Sequence, residues 1–250
     1  MSTSFRVEAD GPGKITSPES AVTRPVVVAL VPMRHHSQRV PGKNYRLLAG
    51  KPLFQHIIET LLACPEISRV VVDTDSPPVI ETLGASFPAV QIIERPEHLR
   101  ADAMPMNEIL AYDTAQAPAD FYLQTHSTNP LLRSATISKA VQALLSDYPA
   151  YDSLFSVTRV QTRLWDQLGR AINHNPAILL QTQDLPPVYE ENSCMYLFTR
   201  QTLLARRNRL GERPRMFAID ASEAWDIDEE LDFEIVDFLL QRRMKEEMEA

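Results

Sequence analysis

The sequence predicts an α/β fold built on a mostly parallel sheet. Three observations carry this: short apolar, β-branched runs recur from Val26 to Gln124, each is followed by apolar residues at helical spacing, and polar residues gather where the runs end. Strands separated by helical patterns lie parallel and are joined by right-handed crossovers.

Each element has its own justification. Val26–Val31 is wholly apolar and reads as a strand buried on both faces. Pro52–Ala63, PLFQHIIETLLA, has helical spacing; Arg69–Asp73 is a second strand and Pro78–Ser86 a short helix. Val90–Ile93, Asn107–Gln116, Phe121–Gln124 and Ala135–Leu145 continue the alternation as strand, helix, strand and helix. The regularity then fades. Ser153–Val160 and Met195–Thr199 read as strands, separated by a polar, proline-containing stretch from Gln161 to Asn192 that is too long for an ordinary loop and is expected to form an excursion or dimerisation arm. Met216–Ile219 reads as a last strand and Glu229–Arg243 as a strongly amphipathic terminal helix.

Composition sets the outer limits. With 250 residues, 44% hydrophobic and 23% charged, the chain can bury a core as one domain over residues 25–250. Residues 1–24, rich in Ser, Pro and charge and without a hydrophobic signal region, are expected as a flexible tail. The net charge of −8 argues against a nucleic-acid or membrane-surface footprint, so any bound polyanion is small and held locally. No run is long enough to span a membrane. Cys64 and Cys194, the only cysteines, lack disulfide or zinc spacing and read as buried thiols in a reduced, cytoplasmic setting.

Ligands of open parallel sheets sit beyond the carboxyl ends of the strands, and those positions are chemically loaded. After the first strand come Arg34, Ser37, Arg39, Lys43 and Asn44, after the second Asp73-Thr74-Asp75, after the third Arg95, after the fourth Gln124-Thr125-His126, and after the last Asp226-Ile227-Asp228. The first loop has neither a GxxxxGK motif nor GxGxxG, so basic side chains must supplement backbone donors if it binds phosphate; a solvated surface turn is the bland alternative. Asp226 and Asp228, two apart in an extended segment, can face one side and hold Mg²⁺. Equally, Asp228 can cap the terminal helix. Asp73 and Asp75 are well explained by an Asx turn, and His35 and His36 by loop polarity.

Read together, VPMRHHSQRVPGKN resembles the signature I/L-x-A-R-x-x-S-K/T-x-x-P-x-K-N of the CMP-sugar cytidylyltransferases, the acylneuraminate and 3-deoxy-manno-octulosonate enzymes. VVVDTDS resembles their I-V-S-T-D, IIERPEHLRAD their R-P-x-x-L-A-x-D, and WDIDEELDFEIVDFLL their D-I-D-T-x-x-D ending, in order along the chain. Nucleotide-side motifs are kept better than sugar-side ones, and both show departures. His36-Ser37-Gln38 replaces a small residue, Ser and Lys; the Q-P-T-S-P-L-R segment is stretched over Gln124–Arg133; R-Q-x-L-P becomes Thr182–Pro186, and R-P-N-G becomes Glu190–Ser193.

The resemblance implies a Rossmann-like nucleotidyltransferase fold, CTP as substrate, Mg²⁺ (or Mn²⁺) as cofactor and a homodimer formed through the excursion. It further implies transfer of CMP to a 2-keto-3-deoxy acidic sugar, a sialic-acid-like nonulosonate, with release of pyrophosphate and a place in cell-surface polysaccharide biosynthesis. On this reading Arg34, Ser37, Arg39 and Lys43 bind the triphosphate, Asn44, Arg95 and Gln124 contact the nucleotide, and Asp226 and Asp228 hold the metal. Arg34, Lys43, Asp226 and Asp228 form the catalytic set, and Arg163 and Asn192 are the expected sugar-side donors. Two alternatives stand beside it: an octulosonate enzyme, and a non-catalytic nucleotide-binding homologue, which would not need the Asp226/Asp228 pair.

Overall fold

The computed structural model describes residues 24–249; of the expected tail, only Arg24 lies within them. In chain order the elements are β1 (Val27–Met33), β2 (Leu47–Leu48), β3 (Lys51–Pro52), α1 (Leu53–Leu62), β4 (Arg69–Thr74), α2 (Pro77–Ser86), β5 (Gln91–Glu94), α3 (Met106–Gln116), β6 (Phe121–Gln124), α4 (Ser134–Asp147), β7 (Ser153–Val160), β8 (Val188–Phe198), α5 (Arg200–Arg206), β9 (Pro214–Ile219) and α6 (Glu230–Glu249).

Side-chain alternation along β1 sets the layering. Val27, Ala29, Val31 and Met33 point to the face covered by α1, α2 and α4, where Phe54, Ile57, Leu83, Ile137 and Val141 pack against them. Val28 and Leu30 point the other way, towards Leu110 of α3 and Leu203 of α5. Every β1 residue is buried, as expected for the centre of a sheet covered on both faces.

The sheet has seven strands in the order β5-β4-β1-β6-β8-β7-β9. β1 is parallel to both β4 and β6, and β4 to β5. β8 runs antiparallel to β6 and β7, and β9 is parallel to β7. From β1 the chain winds outward to β4 and β5, then returns to place β6 on the other flank. This reversal opens a crevice between the loops after β1 and β6.

Three differences from expectation concern the second half. β8 begins at Val188, so the irregular stretch ends before that residue; the exposed Glu190 and Glu191 conceal the strand in the sequence, and its pairing with β7 is irregular between Phe155 and Val157. Thr199 is not strand but the cap of α5, its hydroxyl accepting from the Thr202 N–H at 3.1 Å. The third difference is α6. It buries Phe233, Val236 and Leu240 against Val40, Leu48, Leu53 and Leu131, yet leaves Leu231 and Phe238 exposed, so its polarity is less cleanly divided than expected.

The segment between β7 and β8 has little regular structure. A β-bridge joins Trp165 to Ala171 around a turn in which Asp166 pairs with Arg170 at 2.6 Å. A short 3-10 turn follows at Thr182–Asp184. Among the described residues no helix is long and apolar enough to cross a membrane.

Candidate active site

The crevice holds a cavity of about 520 Å³, and its first wall is the loop after β1. That loop is fastened from behind. The His35 N–H donates to Asp75 Oδ1 at 2.8 Å, its Nδ1 lies 2.9 Å from Ser76 Oγ, and its ring stacks on Tyr45 at 5.5 Å. Gly42 takes a left-handed φ of 66°, and a Cβ there would come within 2.7 Å of the Tyr45 ring. The turn it permits directs Lys43 and Asn44 into the cavity wall.

Three loop cations meet two carboxylates. Arg34 Nη1 pairs with Asp102 Oδ1 at 2.6 Å, and Gln38 Nε2 donates to the other oxygen of Asp102 at 2.9 Å. Arg39 pairs with Asp228 Oδ1 at 2.6 Å. Lys43 Nζ donates to the Ile227 carbonyl at 2.6 Å and stands 3.8 Å from Asp228. Burial pulls the Lys43 ammonium below its ordinary range, against the opposing pull of Asp226 and Asp228. Burial likewise pushes the Asp226 carboxyl up, against a hydrogen bond from Thr128 and with a further push from Asp228. Its Oδ1 is buried without a partner.

Asp228 does not cap α6. Instead Asp232, in the first turn of α6, reaches back so that its Oδ2 accepts from the N–H groups of Asp228 and Glu229 just ahead of the helix, at 3.0 and 2.8 Å. The Asp228 side chain is thereby left to the cavity. Asp226 and Asp228 both line the cavity, beside Ser37, Arg34, Arg39 and Lys43. No cluster of three or more metal-ligating side chains occurs among the described residues. A carboxylate pair with an unpartnered buried oxygen nevertheless fits a hard divalent cation that completes its shell with phosphate and water.

Asn44 and Gln124 are placed differently. Asn44 is buried; its Nδ2 donates to the Arg34 carbonyl at 2.8 Å and its Oδ1 accepts from Ser127 Oγ at 2.7 Å, tying the loop after β1 to the loop after β6. Gln124 lies behind the lining. Its Oε1 accepts from Arg209 at 2.5 Å and its Nε2 lies 3.0 Å from the ring nitrogen of His126. His126 does line the cavity, and burial, with Arg209 and Lys43 nearby, holds it down to about 4, so it is a neutral imidazole at pH 7. Arg95, 1% exposed, reaches the wall with its Nε bound to Asp73. Beside it Met104, Met106 and Ile109 offer an apolar surface to a planar ring.

A second cavity of about 520 Å³ adjoins the first and shares Asp226 and Ser193 with it. Its other walls include Thr158, Glu190, Glu191, Asn192 and Trp225. Asn192 accepts from Ser156 Oγ at 2.6 Å and donates to Thr158 at 2.9 Å. Arg163 is absent from both linings; it donates to the Leu180 carbonyl within the excursion.

Arg209 lines neither cavity but braces Gln124 behind the wall, a role that nothing in the sequence singled out. Its guanidinium lies 3.5 Å from the Tyr196 ring centroid while it holds Gln124, and Tyr196 in turn donates to Glu191. Arginine-rich RRNRLGERPR carries no mark that separates this side chain from its solvated neighbours.

Two adjacent chambers meeting at a carboxylate, one of them rich in cations, suit a reaction between a polyanion and a second, smaller molecule. A family model described as cytidylyltransferase matches residues 28–248. The chain is similar to the CMP-N,N'-diacetyllegionaminic acid synthase of Legionella pneumophila, 27% identical over 232 residues that cover 86% of this chain and 96% of that protein. It is also similar to the N-acylneuraminate cytidylyltransferase of Escherichia coli, 24% identical over 90% of this chain and 55% of that protein. Among solved structures, CMP:2-keto-3-deoxy-manno-octonic acid synthetase complexed with CTP matches with a TM-score of 0.67 and 19% identity, over 87% of this chain and 99% of that one. The last likeness is one of fold.

Proposed function

The chain belongs to the cytidylyltransferase family, and from that premise we propose that it joins CMP from CTP to the anomeric hydroxyl of a 2-keto-3-deoxy acidic sugar, a sialic-acid-like nonulosonate. The observation that carries this reading is the meeting of two chambers at Asp226, with Arg34, Arg39 and Lys43 gathered on one side of it.

The triphosphate lies along the loop after β1. Arg34 and Arg39 exchange the carboxylates of Asp102 and Asp228 for phosphate oxygens, a swap that keeps each guanidinium paired with an anion. Lys43 contributes a point charge and Ser37 a hydroxyl donor. Arg95 and the adjoining methionines bound the space for the base. The sugar occupies the second cavity, with Asn192 in its wall and its anomeric hydroxyl directed past Asp226 to the α-phosphate. That hydroxyl attacks in line and gives up its proton to solvent water, the bond from the α-phosphorus to the bridging oxygen breaks, and pyrophosphate leaves with its charge met by the loop cations. Asp226 and Asp228 would hold Mg²⁺ or Mn²⁺, which when bound neutralises phosphate charge. Positioning and electrostatics suffice; no covalent enzyme intermediate is needed.

The functional unit on this reading is a cytoplasmic homodimer supplying an activated sugar for cell-surface polysaccharide. Buried, unpaired Cys64 and Cys194 support a reducing compartment, and the exposed Leu168, Ile172, Ile178 and Leu179 of the excursion support an interface. A pyrophosphate-release assay with CTP, Mg²⁺ and a panel of nonulosonic and octulosonic acids tests the reading. Turnover is expected with a nonulosonic acid; selective turnover of an octulosonic acid would move the substrate class, and no release with any acid would sink it. Asp228→Asn, which keeps an oxygen for Arg39 but loses the charge, should lower kcat about 100-fold or more in the same assay.

A further inference from the structure

Three buried carboxylate oxygens have no hydrogen-bond partner behind the nucleotide wall: Oδ2 of Asp73 and both oxygens of Asp113. They belong to one cluster with Arg95. Asp73 comes from the end of β4, Arg95 follows β5 directly, and Asp113 lies in α3; each is 1% exposed. Arg95 gives its Nε to Asp73 Oδ1 and its Nη2 to the Asp73 carbonyl at 3.4 Å. Its backbone N–H donates to the Thr74 carbonyl at 2.9 Å, and its own carbonyl accepts from Arg100 Nε at 2.7 Å. Arg95 is thus tied to β4 by both its guanidinium and its backbone while it lines the cavity.

The charge count of this cluster does not close. Two carboxylates and one guanidinium leave a surplus negative charge where water cannot reach, and such a charge is removed by binding a proton. Placed on Asp113 and donated to Oδ2 of Asp73, a single proton neutralises the surplus and gives both residues a partner in one bond. The reverse placement is worse, because a neutral Asp73 would forfeit its charge-assisted bond to Arg95.

We propose that Asp113 is a positioning residue for nucleotide binding, held as the neutral acid so that Asp73 stays ionised and keeps Arg95 fixed in the cavity wall. The ligand's identity rests on the functional reading above. The charged groups facing the pair are Arg95 and, beyond the end of β4, Asp75. Burial and the neighbouring Asp73 charge push Asp113 up to about 9, while burial raises Asp73 against the opposing pull of Arg95. The two titrate as a unit.

A proton retained by the folded chain but released near 3.8 by the unfolded one makes stability fall as pH climbs from about 4 towards 9. Asp113→Asn keeps a donor towards Asp73 and has nothing to titrate. Melting temperatures of wild type and Asp113→Asn, compared from about pH 5 to about pH 9, should diverge steadily in the variant's favour as pH rises. In the pyrophosphate-release assay Asp113→Ala should raise KM for CTP about tenfold or more with a much smaller change in kcat, and Asp113→Asn should recover most of that loss. Parallel melting profiles, or an Asp113→Asn protein as impaired in KM as Asp113→Ala, would overturn the proposal. Should Asp113→Ala fail to fold, the melting comparison and the KM of Asp113→Asn decide alone, an Asp113→Asn KM raised tenfold or more counting against it. A wild-type chain that binds no CTP by calorimetry overturns the functional reading and the nucleotide role of Arg95 with it, whereas divergent melting profiles would still establish the buried proton.

Discussion

Lys43 is the most sheltered cation of the loop after β1, and its two oxygen neighbours, the Ile227 carbonyl and Asp228, hold it facing the crevice. If it meets the β- and γ-phosphates, Lys43→Ala should weaken CTP binding by about tenfold or more and CMP binding by under about threefold in calorimetric titrations. Equal losses would move it away from the terminal phosphates. His126 makes a different kind of prediction. Its folded value of about 4 lies below the ordinary 6.5, so its contribution to stability is complete above 6.5 and is lost as pH falls towards 4. The melting temperature of His126→Asn should therefore decline less than that of the wild type over that window. Residues whose place follows from chemical type and position after a strand were legible in the sequence: Arg34, Lys43, Asp226 and Asp228 all line one cavity. Roles set by tertiary neighbours were not. Asp73 read as half of an Asx turn because nothing local announces that Arg95 and Asp113 converge on it, and Arg209 sat unmarked in a basic run.

At the scale of elements, strands with wholly buried faces announced themselves, since β-branched runs such as VVVALV have no other stable home. Elements defined by pairing or capping did not. β8 opens on Val-Tyr-Glu-Glu, an exposed stretch that only its pairing with β7 makes a strand, and α5 buries little but Leu203. The β2–β3 hairpin is two residues a side and owes its place to α6, whose Asp237 accepts from the Ala49 N–H at 2.6 Å. The loop before it depends on Gly42. Gly42→Ala must hold a side chain at a left-handed φ of 66° and displace Tyr45, so it should cost about 1–2 kcal/mol from conformation alone and more from the clash. Denaturant unfolding should show that loss, together with a raised KM for CTP as Lys43 and Asn44 shift. A variant with normal stability and KM would mean that the loop's conformation is not tied to this turn.

For the molecule as a whole, the excursion between β7 and β8 is the part least explained by one chain. It spreads Leu168, Ile172 and Leu179, the last 91% exposed, over its surface. Light scattering should report twice the 28.3 kDa of one chain. Arg163→Ala, which removes the brace to Leu180, should then raise KM for the sugar acid while leaving that for CTP nearly unchanged. A fully active monomer would separate the excursion from the chemistry. The same wide view changes the meaning of the contacts between the loop after β1 and the end of the chain. Arg39 meets Asp228, Arg46 meets Glu230 at 2.6 Å and stacks over Phe233, and Ala49 meets Asp237, pairs separated by more than 180 residues. During synthesis the loop after β1 is made early, and its counterparts follow more than 180 residues later. A nascent chain therefore carries that loop without its counterparts until the residues from Asp228 onward have been made.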